Sequence, residues 1–195
     1  MNSEQLTDNR QQATGHQPPA TNNQPPATSH QPPTPGHFLG GVGALVWDGA
    51  TGRYLLLRRA ATKDFAAGVW ECVTGRVDQG ESFEVAARRE VREELGVEAR
   101  LEAILGTTHF YRGTAVPENE LLGVIYLATI ADPSAIALSG EHDEARWVTA
   151  VEAATLLSAA DPSTAWTRNL ITRAELVRPF LSDGLREIHH QQGFE

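Results

Sequence analysis

Residues 82–95 constrain this chain more than any other stretch. The run Ser82-Phe83-Glu84-Val85-Ala86-Ala87-Arg88-Arg89-Glu90-Val91-Arg92-Glu93-Glu94-Leu95 contains neither glycine nor proline and is followed at once by Gly96. It reads as a helix with Ser82 as N-cap, Glu81 and Glu84 near the positive end of the dipole, and Gly96 as the stop. Two of its charge pairs are favourable at i, i+4: Glu84 with Arg88, and Arg89 with Glu93. Glu90, Glu93 and Glu94 share one face at i, i+3 and i+4. Glu90 and Glu94 are like charges one turn apart, which costs about 0.2–0.5 kcal/mol when exposed and more as water is excluded. Either the face is simply solvated, or something positive resolves it. Three carboxylates on one rigid face suit Mg²⁺ or Mn²⁺, which take hard oxygen ligands and keep some of their waters.

The rest of the folded part supplies a sheet. Strands are expected over residues 38–47, 54–57, 69–74, 99–111, 121–130 and 145–148, with turn clusters at 48–52 and a polar loop over 75–80. Further helices are expected over 149–157 and 166–181, with Asp161-Pro162-Ser163 as a turn and helix start. Strands and helices mixed in this order imply a sheet covered by helices. Cys72 sits in a strand beside Trp70, where a lone thiol is expected to be buried and inert.

Residues 1–36 differ in kind. Gln-Pro-Pro recurs at Gln17, Gln24 and Gln31, and large apolar side chains are nearly absent. The segment reads as a disordered, polyproline-like leader, and its histidines (His16, His30, with His37 just beyond) as incidental. Pro32-Pro33-Thr34-Pro35 has minimal PxxP spacing. The expected organisation is thus a Pro/Gln-rich tail over 1–36, one domain over 37–182 and a C-terminal tail over 183–195.

Composition narrows the setting. Of the 195 residues 41% are hydrophobic, and the net charge is −9. Without a Lys/Arg cluster, such a chain is poorly built to grip polynucleotide phosphates or an anionic membrane. No apolar run is long enough to span a bilayer, the polar start does not resemble a secretory signal, and one cysteine allows no internal disulfide. The expected location is the cytoplasm.

Gly75, Glu81, Arg89-Glu90, Val91, Glu93-Glu94, Gly96 and Val97 fit G-x5-E-x7-R-E-U-x-E-E-x-G-U, with U aliphatic, at every defined position. The chain thereby resembles the Nudix (MutT-like) hydrolases. Leu55-Leu56-Leu57-Arg58-Arg59 resembles the strand before that family's substrate loop, and Glu141 to Val148 its late EH…RW segment. The resemblance covers most of residues 38–180 and implies an α/β/α sandwich around a mixed sheet. It implies a metal site, for Mg²⁺ or Mn²⁺, formed by Gly75 (through its carbonyl), Glu90, Glu93 and Glu94. By the same likeness Arg89 orients a carboxylate, plausibly that of Glu90. Glu81 holds loop and helix together with Arg89 as partner, an arrangement equally readable as a structural ion pair.

The implied reaction is hydrolysis of a phosphoanhydride. A metal ion lowers the pKa of a bound water and a carboxylate takes the proton. Glu90, Glu94 and the off-helix Glu141 are the candidates for that carboxylate. Arg59, or Arg58 on the opposite strand face, is a candidate phosphate ligand. Trp70, Phe110 and Tyr111 are candidates to stack on a base, or are core; Trp147 reads as core. The run Val73–Val77, the EH…RW segment and Trp166 look most like nucleoside- and pterin-triphosphate pyrophosphohydrolases. The expected substrate is a small phosphorylated, nucleotide-like molecule: a nucleoside triphosphate first, a dinucleoside polyphosphate second. A catalytically silent nucleotide sensor on this fold is the alternative from another class. An isomerase, since isopentenyl diphosphate isomerases share the fold, would need Cys72 as a nucleophile. A homodimer is compatible with the family likeness, and the oligomeric state is not written in the sequence.

Overall fold

The computed structural model describes residues 36–63, 66–158 and 161–190. The leader read for residues 1–36 lies outside them except for Gly36, as do His16 and His30. Seven strands form one sheet: β1 (Leu39–Asp48), β2 (Arg53–Arg59), β3 (Trp70–Glu71), β4 (Val73–Arg76), β5 (Ala99–Tyr111), β6 (Glu120–Ile130) and β7 (His142–Val148). Four helices accompany them: α1 (Phe83–Leu95), α2 (Ala150–Leu156), α3 (Pro162–Val177) and α4 (Asp183–His190). The strand path runs β3-β2-β1-β6-β5, with β4 paired to β1 and β7 paired to β2.

The first strand divides its length. Residues Leu39 to Val46 run parallel to β6, with Gly41 to Ala44 antiparallel to β4 on the other edge. Trp47 and Asp48 turn to β2. Alternation along β1 and β2 sorts their side chains to two faces. Val42, Ala44, Val46, Leu55 and Leu57 pack beneath α1, against Ala86, Ala87, Val91 and Leu95. Leu45, Trp47, Tyr54 and Leu56 pack on the other side, against Ala153, Leu157, Leu170, Ile171 and Ala174. The result is a mixed sheet between two helical layers, the α/β/α sandwich that the sequence resemblance implies.

Several element boundaries differ from those read in the sequence. The strand expected over 69–74 is two strands, broken at Cys72 where the chain passes from β2 to β1 as its partner. Gly75 therefore lies inside β4, opposite Val42, and not in the loop that follows. α3 starts at Pro162 rather than at Trp166: Asp161 caps it by accepting the Thr164 N–H, and Pro162 takes the first turn, where no donor is needed. Residues 183–190 form α4, which packs on β5. The buried Glu102 carboxylate ties it down, taking Arg186 Nη1 at 3.1 Å and the Thr129 hydroxyl at 2.6 Å. Among the described residues no helix is long and apolar enough to cross a membrane.

Candidate functional site

The site is built on α1 and the strand that feeds it. Ser82 caps the helix by accepting the Val85 N–H at 3.3 Å. Gly96 closes it in the left-handed region at φ 70°, its N–H bonded to the Arg92 carbonyl. Ala86, Ala87, Val91 and Leu95 face the core, which turns the Glu90, Glu93 and Glu94 side of the helix along β4. At Gly75 a Cβ would lie 1.8 Å from the Glu90 carboxyl carbon, so any side chain there would displace that carboxyl.

Arg89 is the hub. Nε and Nη2 grip both oxygens of Glu81, at 2.8 and 2.9 Å. Nη2 also reaches the Arg76 carbonyl at 2.8 Å, and Nη1 is shared by Glu90 Oε1 at 2.8 Å and Glu93 Oε2 at 3.2 Å. The planar five-donor guanidinium suits this task as an ammonium would not. The Arg89 guanidinium and the Asp78 N–H hold Glu81 down at a pKa of about 2. The expected Arg89–Glu93 pair is formed, and Glu84 accepts the Tyr126 hydroxyl at 3.1 Å.

Glu94 differs from its neighbours. It is 4% exposed, and its Oε1 receives the Thr74 N–H at 3.4 Å. Burial, followed by the nearby charge of Glu71, pushes its pKa well above the usual carboxylate range. Burial likewise raises Glu90, against the pull of Arg89. Glu141, whose charge is also felt at Glu94, pairs with Lys63 Nζ at 2.7 Å and is held below the usual range.

The donor set fits a hard divalent cation. Glu90 and Glu93 each commit one oxygen to Arg89, and Glu94 commits one to Thr74. The other oxygen of Glu94, Oε2, is buried and has no hydrogen-bond partner. As placed, these groups are not gathered into a ready ligand sphere: among the described residues no three His, Cys, Asp or Glu side chains lie close enough to hold an ion.

Other residues singled out in the sequence lie apart from the carboxylates or are already engaged. Arg59 Nη1 pairs with Glu71 Oε1 at 2.8 Å, with both side chains mostly buried. Arg58 points to the other face, to Asp143 and Glu144 at 2.7 and 3.0 Å. Trp70 packs with the α3-side core, its ring covered by Arg146 at 4.8 Å, with Arg58 at 5.9 Å. Phe110 stands half-open near the end of β5, with β1 and β6 between it and β4. Tyr111 makes an edge contact with His109. Trp147 packs beside the α1-side core. A cavity of about 390 Å³ between β5 and α3, lined by Thr107, Trp166, Asn169, Leu170, Thr172 and Arg173, belongs to the α3 layer and not to the carboxylate face.

Sequence reasoning passed over two residues that the fold brings to Glu94. Glu71 attracts no notice in a two-residue strand, and His142 is visible only as part of the EH…RW segment. His142 is buried, with Nε2 at 3.2 Å from Glu71 Oε1 and Nδ1 at 3.7 Å from Glu94 Oε2. Cys72 is fully buried on the opposite face, where burial raises its thiol pKa far out of the reactive range.

A three-layer sandwich with a close glycine contact feeding an acidic helix defines the class of protein that the sequence pattern resembles. The NUDIX domain family model matches residues 37–172, and the chain belongs to that family. It is 35% identical over 121 residues to the NAD-capped RNA hydrolase NudC of Mycobacterium tuberculosis, covering 62% of this chain and 36% of that protein. It is 40% identical over 86 residues to the isopentenyl-diphosphate Delta-isomerase of Kocuria rhizophila, covering 42% of this chain and 48% of that one. The chain thus spans less than half the length of these curated relatives. Among solved structures, the MutT protein of Methanosarcina mazei Go1 superposes with a TM-score of 0.59 at 25% identity, covering 74% of this chain and 98% of that one.

Proposed function

We propose that the chain is a Mg²⁺-dependent hydrolase of phosphoanhydrides in nucleotide-like substrates, converting a nucleoside triphosphate and one water to a nucleoside monophosphate and pyrophosphate. The observation that carries this reading is the set of three carboxylates along α1, two held by Arg89 and the third, Glu94, with a buried oxygen that has no hydrogen-bond partner. Glu90, Glu93 and Glu94, with the Gly75 carbonyl, would hold the ion. When bound, it would offset phosphate charge and acidify a water. The chain's own groups do the rest. Arg89 and Glu81 lock the turn to the helix, and a carboxylate receives the water's proton. Glu90, Glu94 and Glu141, the last paired with Lys63, are the candidates for that carboxylate.

Dinucleotides are the second substrate class to test, because the NudC relative is named for an NAD-capped substrate. An isomerase reaction through Cys72 finds no support, since that thiol is sealed on the far side of the sheet. The test is product identification with Mg²⁺ and a panel of nucleoside triphosphates, dinucleoside polyphosphates and NAD, run on the parent and on Glu94→Gln. The parent should release pyrophosphate or a monophosphate. Glu94→Gln should fold normally and lose at least about 10²-fold in kcat, as when one preorganised charged group is removed. Absence of turnover throughout the panel would favour a binding-only protein, and an unchanged rate in Glu94→Gln would misplace the site.

A further inference from the structure

Behind Glu94 lies a chain of buried polar groups drawn from three strands: Arg59 on β2, Glu71 on β3 and His142 on β7. Arg59 Nη1 meets Glu71 Oε1 at 2.8 Å, and the same oxygen meets His142 Nε2 at 3.2 Å. The ring's other nitrogen faces Glu94 Oε2 at 3.7 Å. Those two atoms are both buried and both without a hydrogen-bond partner. A pair of orphaned polar atoms facing each other in a protein interior is costly unless it serves a purpose.

The backbone goes out of its way to produce this arrangement. In the β2–β7 ladder Arg58 opposes Glu144, but Arg59 opposes His142, so Asp143 is an extra residue in a bulge. Without that bulge Asp143 would oppose Arg59 and share its face of the sheet, and His142 would point to the α3 side. Leu57 opposes Glu71 and packs beneath α1, so Arg59, Glu71 and His142 all lie on the face that carries Glu94.

Distance sets the two ends of the imidazole apart. Glu71 Oε1 lies within hydrogen-bond distance of Nε2, which turns Nδ1 towards Glu94. At 3.7 Å the separation of Nδ1 from Glu94 Oε2 is too long for a hydrogen bond. The oxygen is enclosed by protein yet claimed by nothing.

We propose that Arg59, Glu71 and His142 form a bracket that keeps Glu94 Oε2 aimed and uncommitted for the divalent cation, with His142 as the positioning residue. This rests on the ion-site reading above. Groups behind a metal ligand typically govern affinity by about 10–100-fold. His142→Phe fills the same space and severs both links. Glu71→Gln removes the charge that holds Arg59 and weakens the link to His142 Nε2.

The experiment measures Mn²⁺ affinity from the electron paramagnetic resonance signal of free ion, on the full chain without substrate, alongside kcat and nucleotide KM and with thermal melts as a folding control. His142→Phe and Glu71→Gln should each weaken Mn²⁺ binding by about 10-fold or more, with nucleotide KM at saturating ion little changed. The double variant should cost no more than the worse single change, because both act through one chain. His142→Gln, which keeps a polar group in place, should recover part of the loss and serves if the Phe variant fails to fold. Loss in Glu94→Gln without loss in the His142 and Glu71 variants would overturn the bracket alone. Insensitivity of Mn²⁺ binding to Glu94→Gln as well would remove the ion site and the bracket with it. Fully additive losses would show two unrelated packing defects in place of one chain.

Discussion

Single residues set the tolerances of this site. Gly75 is there because Glu90 occupies the space a side chain would need. Gly75→Ala should push the Glu90 carboxyl off its place and lower kcat by about 10²-fold, the scale expected for a misplacement near 1 Å. Circular dichroism should be unchanged, and a parental rate would show that Glu90 needs no such contact. Glu81 is one of the carboxylates that make stability depend on pH. A carboxyl whose pKa is lower in the folded than in the unfolded chain stabilises the fold above its unfolded value, and that contribution fades as pH falls through its folded value. For Glu81 the window runs from its usual 4.5 down to about 2. Glu81→Gln should therefore melt below the parent near neutral pH, and the gap between the two melting temperatures should close as pH falls through that window. A gap independent of pH would mean that the charge of Glu81 contributes nothing.

Elements differ in how openly the sequence declares them. The first helix announces itself by its cap, its stop and its lack of breakers, and β5 and β6 by their length. Ser82→Ala should cost about 1 kcal/mol of stability, read by urea unfolding, because an orphan N–H at the helix start loses its acceptor. A cost near zero would mean that another group or water replaces the cap. The break at Cys72 is not legible, because Val69 to Thr74 reads as one strand and only the tertiary partners separate β3 from β4. Nor is the start of β7, whose inward side chain is an imidazole where alternation looks for an apolar group. The carboxylate face of the site was legible for a related reason: its signal is local, three residues on one helix. The Arg59–Glu71–His142 chain was not, since its members come from three strands and one of them depends on a bulge.

The whole molecule is closed by contacts distant in sequence. The fourth helix is fastened through Arg186 to Glu102, a carboxylate that would otherwise be buried with the Thr129 hydroxyl and a more distant Arg100 at 3.6 Å. Arg186→Ala should destabilise the protein by about 1–3 kcal/mol in urea, the cost of leaving a buried acceptor short of a partner. Turnover measured well below the new midpoint should stay at the parental level; a loss of rate there would tie α4 to the active face. The split strand β1 has a further consequence for synthesis. One flank of residues Leu39 to Val46 finds β4 soon after it leaves the ribosome, but the other flank must lie against β6, and β2 through β5 are made in between. The centre of the sheet thus spends much of translation with one side bare, a standing invitation to mispairing with other nascent chains.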